Sequence, residues 1–197
     1  IPVIRFLRKT YPELILSVDT FRSEVARNCL DLGIDIINDI SAGCIDKNIL
    51  DVVAEYNCPY IMMHMKGTPQ TMQINPEYEN LIKELLIYFA KRIYLAREKG
   101  IIDIIVDPGF GFGKTLDHNY TIMKKIENFK LLDLPILVGI SRKSFITKQL
   151  DIDKKDSLNG TTSINMYFLE KNINILRVHD VKEAKECIKL HEKIKSS

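Results

Sequence analysis

Residues 102–114 read IDIIVDPGFGFGK. A short, almost wholly apolar run ends on a carboxylate, Asp107, and opens into a loop carrying Gly109, Gly111 and Gly113. Consecutive rather than alternating apolar positions mark a strand covered on both faces, as in a parallel sheet. The same unit of strand, polar loop and longer amphipathic helix recurs in both directions from this stretch. Strands are predicted over 14–18, 35–40, 60–63, 102–106, 136–140 and 174–178. Helices are predicted over 23–32 before Gly33, 47–56, 76–99 before Gly100, and 182–195. Glycine at the stop supplies the left-handed residue that ends many helices. Long loops are expected only at 65–75 and 108–119.

Every predicted strand ends on polar residues. In order these are Asp19, Asn38, His64, Asp107, the group Ser141, Arg142 and Lys143, and the pair Arg177 and His179. An open doubly wound sheet binds its ligand at one switch point and needs functional groups at only a few strand ends. A TIM (β/α)8 barrel gathers all its strand ends at one face, where its active site lies. Six loaded ends therefore favour the barrel. A full barrel takes about 250 residues, and this chain has 197 and opens on Ile1 rather than Met. Ile1, Ile4 and Leu7 have helical spacing before Tyr11-Pro12, a break into the first predicted strand. The expectation is a single α/β barrel domain over 1–197 whose first two strands lie upstream.

The composition predicts a compact soluble protein. With 46% hydrophobic and 27% charged residues the chain can bury a core, and its formal charge of +2 comes from acids and bases mixed throughout. No basic field for nucleic acid results. No apolar run reaches the roughly 18 to 20 residues that span a bilayer, and the N-terminus lacks signal-peptide architecture, so a cytoplasmic location is expected. Cys29, Cys44, Cys58 and Cys187 are scattered without metal-ligand or redox spacing and read as reduced thiols.

Three stretches carry chemistry. The glycines after Asp107 permit positive φ and close backbone approach, but the run matches neither GxGxxG nor a P-loop, so a nucleotide reading has no support. Residues 138–144, VGISRKS, place two cations and two hydroxyls at a strand end, which calls for an anion or an acceptor-rich ligand nearby. Arg177 and His179 stand two apart on a strand and share a face, a pairing suited to pyrophosphate oxygens.

Asp19-Thr20, Asn38-Asp39-Ile40, Met63-His64-Met65-Lys66-Gly67, the run Asp107 to Lys114, the run Gly139 to Ser144, and Arg177-Val178-His179-Asp180 resemble the dihydropteroate synthase family in order and spacing. The resemblance runs from about Leu14 to near the C-terminus. It implies condensation of 6-hydroxymethyl-7,8-dihydropterin pyrophosphate with 4-aminobenzoate in folate biosynthesis, giving 7,8-dihydropteroate and pyrophosphate. Implied pterin ligands are Asp19, Asn38, Asp107 and Lys143; implied 4-aminobenzoate ligands are Phe112, Ser141 and Ser144. Arg177 and His179 would hold the pyrophosphate with a Mg2+, and Lys143, Arg177 and His179 form the implied catalytic set. No metal ligand is implied within this chain, because the family's metal-binding Asn and the loop after its second strand would both precede Ile1. The chain alone would then lack part of the machinery. Sulfonamides would compete for the 4-aminobenzoate place, and a homodimer through outer helices is implied.

A rival is a pterin-binding methyltransferase barrel that passes methyl from a folate to a corrinoid. It shares the carboxylate and Asn logic but needs neither Phe112 beside a glycine loop nor the Arg177–His179 pair. A non-catalytic barrel segment is the third reading, marked by binding without turnover. Other features read as structural: His64 at its strand end, His118 and His191 on the surface, and Thr161-Thr162-Ser163 as the N-cap of a helix. The Lys-rich run 185–195 reads as a solvated helix face.

Overall fold

The structure, a computed structural model, describes residues 1–72 and 74–197. Gln73, inside the predicted loop 65–75, lies outside the described residues. Helix α1 (Pro2–Thr10) is followed by β1 (Ser17–Asp19), α2 (Ser23–Leu30), β2 (Ile36–Asp39), α3 (Ile49–Tyr56), β3 (Tyr60–Met63), α4 (Leu81–Glu98) and β4 (Ile104–Asp107). Then come α5 (Leu116–Lys124), β5 (Leu137–Val138), α6 (Ser144–Leu150), α7 (Leu158–Glu170), β6 (Ile175–Leu176) and α8 (Val181–Lys195), with short 3-10 helices at Ile126–Leu132 and Lys154–Asp156. The alternating order and parallel pairings are those of the α/β barrel class expected from the sequence. The residues group into two compact units, Ile1–His64 with Ile87–Val106, and Met65–Leu86 with Asp107–Ser197.

In the first unit the strands pair in the order β1-β2-β3-β4. Val18 pairs with Ile37 and Asn38 with Ile61, both in parallel ladders. Ile37, Tyr60, Met62 and Met63 are essentially inaccessible, as runs of consecutive apolar residues require. The first strand is shorter than predicted. Arg8 donates to the carbonyl of Pro12 at 3.1 Å and also to that of Leu14, while Asp35 accepts from the Leu16 N–H at 2.7 Å. Side chains thus satisfy backbone that a neighbouring strand would otherwise pair, and Ile15 is left 72% exposed. Helix α4 begins at Leu81 rather than Pro76, because Asn80 accepts from the Lys83 N–H at 3.2 Å and Glu84 accepts from the Asn80 N–H at 3.1 Å.

The turn after β2 is built on a buried carboxylate. Asp39 is fully inaccessible and accepts four hydrogen bonds of 2.7 Å each, from the Ser41 N–H, the Ser41 hydroxyl, the Gly43 N–H and the Tyr60 hydroxyl. Arg92, also buried, donates to the Ala42 carbonyl at 2.6 Å. The Tyr88 hydroxyl reaches the carbonyls of Ser41 and Met63 at 3.1 and 3.2 Å. These bonds hold Ala42 at φ 48°, a left-handed conformation unusual for a residue with a Cβ.

In the second unit β5 pairs in parallel with β6, Leu137 with Ile175 and Val138 with Leu176. Helices α6 and α7 meet closely at Gly160, where an added Cβ would stand 2.6 Å from Ile146 Cγ2. Three readings are corrected here. His191 is not on the surface but 7% exposed, bonded through Nδ1 to Glu170 at 3.0 Å. His118 is half-buried and completes a capping box, accepting at Nδ1 from the Thr115 N–H while Thr115 Oγ1 accepts from its own N–H. Thr161, Thr162 and Ser163 lie inside α7, whose N-cap is Ser157, and Thr162 and Ser163 bond back to carbonyls one turn earlier. All four cysteines are free thiols.

Candidate functional site

The second unit carries the largest group of predicted site residues. Asp107 ends β4 with 4% exposure, and its Oδ1 accepts from the Gly109 N–H at 2.8 Å, which starts the glycine loop. Gly109, Gly111 and Gly113 take φ of 72°, 81° and 61°. Gly113 is also pressed against the chain after β3, where an added Cβ would lie 2.8 Å from the Lys66 carbonyl oxygen and 2.9 Å from its nitrogen. Tyr78 closes this contact by donating to the Gly113 carbonyl at 2.8 Å, with the Lys66 ammonium 4.1 Å over its ring. Phe110 is fully buried against Phe145 and Phe168, whereas Phe112 is only half-buried. The alternation of loop residues thus anchors one ring and presents the other.

Cations surround the carboxylate. Lys143, just before α6, donates to the Phe110 carbonyl and stands 4.9 Å from the Phe112 ring centre. Lys114 is 4% exposed and donates to the Phe112 carbonyl at 2.9 Å. Burial pushes the Asp107 carboxyl above its ordinary range, opposed by Lys143, the Gly109 N–H, Lys114 and Arg177. Burial likewise lowers Lys114 to about 7, with Asp107 opposing and Lys143 assisting, and lowers Lys143 to about 8. Cationic side chains gathered at one buried carboxylate suit an anionic or acceptor-rich ligand.

This cluster has a measurable signature. In an unfolded chain both lysines keep their protons to about pH 10, but in the folded ligand-free protein they release them from about 7 and about 8 upward. Between those limits the unfolded chain binds more protons, so stability rises with pH, by at most about 1.4 kcal/mol per pH unit for each lysine. Lys114→Met should flatten part of that rise in urea denaturation between pH 7 and 10. An unchanged slope would mean that the Lys114 ammonium is solvated.

The other strand ends divide their labour. Of the two cations in 138–144, Arg142 is taken by a clamp: at φ 56° it pairs with Asp180 through both Nε (3.0 Å) and Nη2, and its N–H donates to Thr161 Oγ1. The pairing raises the Arg142 pKa and lowers that of Asp180. Ser141 is buried and bonded to His179, while Ser144 is exposed as the first residue of α6. Arg177 and His179 are exposed beyond β6. A cavity of about 300 Å3 between the glycine loop and α6 is lined by Pro76, Gly111, Lys114, Ser144, Phe145 and Lys148, among others.

The first unit presents a separate polar pair. Asn38 is 3% exposed and its Nδ2 donates to Asp19 Oδ1, but its own Oδ1 is buried without a hydrogen-bond partner. A buried acceptor left unmet costs roughly 1–3 kcal/mol, so this position calls for a donor from a ligand. His64 keeps the structural role read from the sequence: it is 6% exposed and packs edge-on against Tyr88 at 4.8 Å. Lys114 and Asp39 were given no role by the sequence reading. The signal for Lys114 was its place immediately after the last loop glycine; for Asp39, a carboxylate inside an otherwise apolar strand end.

Among the described residues no group of three or more His, Cys, Asp or Glu side chains is placed to hold a metal ion, and no helix is long and apolar enough to cross a membrane.

Comparison with known proteins converges on one family. The family model described as pterin binding enzyme matches residues 1–179. A dihydropteroate synthase of Synechocystis sp. is 42% identical over 96% of this chain and 66% of its own length, and that of Escherichia coli K12 is 38% identical over 98% and 68%. The chain thus spans about two thirds of these relatives. Among solved structures, the Yersinia pestis dihydropteroate synthase with a sulfonamide drug is 33% identical and matches all of this chain and 71% of its own with a TM-score of 0.95. The 7,8-dihydropteroate synthase of Vibrio fischeri is 36% identical, with a TM-score of 0.88 over all of this chain and 73% of its own.

Proposed function

The chain belongs to the family of pterin-binding enzymes that includes the dihydropteroate synthases, and we propose that it serves the same reaction, joining 6-hydroxymethyl-7,8-dihydropterin pyrophosphate to 4-aminobenzoate. The observation that carries this reading is the buried Asp107 carboxylate among Lys114, Lys143 and Arg177. A pterin offers an edge of N–H donors and a carbonyl with ring nitrogens as acceptors. Asp107 takes the donor edge and Lys143 donates to the acceptor edge. The first unit by itself offers Asp19 and Asn38 as pterin ligands, the unmet Asn38 Oδ1 fitting an N–H donor.

The 4-aminobenzoate ring lies against Phe112, whose face is half-open. Its carboxylate goes to Ser144 and the neighbouring cavity with Lys114 and Lys148. Ser141, also expected as a ligand of this carboxylate, has its hydroxyl on His179 and contributes through that residue instead. The amine nitrogen attacks the pterin methylene, the C–O bond to pyrophosphate breaks, pyrophosphate leaves with the bonding pair, and the amine loses a proton to solvent. Bond loosening runs ahead of attack. Positive charge then spreads into the pterin beside Asp107, while Lys143, Arg177 and His179 stabilise the departing anion. No covalent intermediate with Ser141 or Ser144 is needed.

The resemblance also implies Mg2+. The described residues hold no cluster fit to ligate it, so no step is assigned to the ion. The cytoplasm, expected from the sequence, is part of the same proposal. A homodimer belongs to the same proposal, with Leu190 and Ile194, each 63% exposed and one turn apart on α8, as apolar surface for it to cover.

The test is pyrophosphate release from the two substrates, together with calorimetric titration of a pterin pyrophosphate analogue. Asp107→Asn should weaken pterin binding by about 2 to 3 kcal/mol through loss of a charge-assisted pair. Unchanged pterin affinity would remove Asp107 from the site and the main support for this reading.

A further inference from the structure

The loops after β5 and β6 are joined by two consecutive cross-links, Ser141 to His179 and Arg142 to Asp180. The second is the bidentate clamp. The first holds a proton in a defined place. Ser141 is 5% exposed, and its Oγ accepts from the His179 backbone N–H at 3.2 Å. The same Oγ lies 3.0 Å from the His179 Nδ1. Among the described residues the hydroxyl has no other partner. One lone pair is already used by the N–H, so the hydroxyl hydrogen is satisfied only by donating to Nδ1. A neutral imidazole that accepts at Nδ1 carries its proton on Nε2.

We propose that Ser141 is a positioning residue that fixes His179 as the Nε2–H tautomer, so that the ring presents an N–H donor to the oxygens of the departing pyrophosphate. This rests on the anion-binding role given to His179 above. The alternative tautomer would leave the buried hydroxyl hydrogen without an acceptor and turn a bare nitrogen lone pair toward an anion, which repels it. The Arg142–Asp180 clamp on the adjacent residues keeps the loop from rotating to relieve that mismatch.

The tautomer is read directly by nitrogen-detected NMR on protein labelled with 15N-histidine at about pH 8.5, where an ordinary imidazole is neutral. The chain has four histidines, and His179→Gln identifies the relevant signals. The ligand-free protein is expected to show Nε2–H for His179. Ser141→Ala should shift the tautomer ratio toward Nδ1–H by about fivefold, the scale of one neutral hydrogen bond, and weaken inorganic pyrophosphate binding by a similar factor. Ser141→Thr, which keeps the hydroxyl, should restore both. An Nδ1–H signal in the unaltered protein overturns the proposal, even if Ser141→Ala fails to fold. So does a tautomer ratio that Ser141→Ala leaves unchanged. A tautomer shift in Ser141→Ala with pyrophosphate affinity untouched, in that variant and in His179→Gln alike, would instead remove His179 from the anion site and with it the proposed role of Ser141.

Discussion

Replacing Asp39 with alanine is expected to lower stability by about 3 to 5 kcal/mol, the range for stripping a buried charge network of one partner. Asp39 is inaccessible to solvent and satisfies two backbone N–H groups and two hydroxyls. Alanine leaves all four donors in place and removes their acceptor, and each buried donor without a partner costs roughly 1–3 kcal/mol. Relaxation of the turn recovers part of that sum. The loss should be visible as a lower urea midpoint with an unchanged slope. Asp39→Asn retains one carbonyl oxygen and should fall between the two. A loss under about 1 kcal/mol would mean that water reaches the turn and substitutes for the carboxylate. The functional consequence follows from position: Asn38 is the preceding residue, and a turn that no longer holds its shape cannot keep the Asn38 carbonyl aimed. Ligand affinity in the first unit should therefore fall together with stability.

Gly113→Ala should remove activity and lower stability by about 2 to 5 kcal/mol, combining a Cβ at positive φ with overpacking. At φ 61° the new Cβ would stand within 3.0 Å of the Lys66 carbonyl oxygen, nitrogen and Cβ. Two of those atoms are backbone, so no rotamer change relieves the contact. Either the glycine loop or the segment carrying Lys66 must move, and Tyr78 holds both, its hydroxyl on the Gly113 carbonyl and its ring under the Lys66 ammonium. The loop bears Phe112 and Lys114, so displacement disorders the proposed 4-aminobenzoate face as well as the Asp107 cluster. Gly100→Ala is the control, since its φ of 89° is similarly left-handed but nothing lies within 4 Å of an added Cβ. Equal losses in the two variants would assign the effect to backbone strain and not to the Lys66 contact.

Much of the architecture was legible because burial on both faces leaves continuous apolar runs, and β3 matches its predicted span from Tyr60 to Met63. The shortfall of β1 was not legible, since it arises from Arg8 and Asp35, side chains whose partners are set only by tertiary approach. The start of α4 was written in Asn80 and Glu84, a cap outranked in the reading by Pro76. In the site, the residues at strand ends could be placed because a strand fixes where its last side chain emerges. Their protein partners could not be placed. Nothing in the order Arg142-Lys143 says that the first pairs with Asp180 while the second turns to the glycine loop, and nothing around Ser141 announces a bond to a histidine 38 residues away.

The two depressed lysines give the second unit a way to shed positive charge from its interior. With Lys114 at about 7 and Lys143 at about 8, the cluster is partly discharged in mildly alkaline solution and does not hold bare ammonium groups against each other. In the proposed reaction the incoming anions, the 4-aminobenzoate carboxylate at Lys114 and the pyrophosphate at Lys143, restore the reason for each to be charged. On that proposal, capture of the two anions is also uptake of hydrogen ions from the solvent and release of the products returns them, a small tide of protons separate from the bond being made.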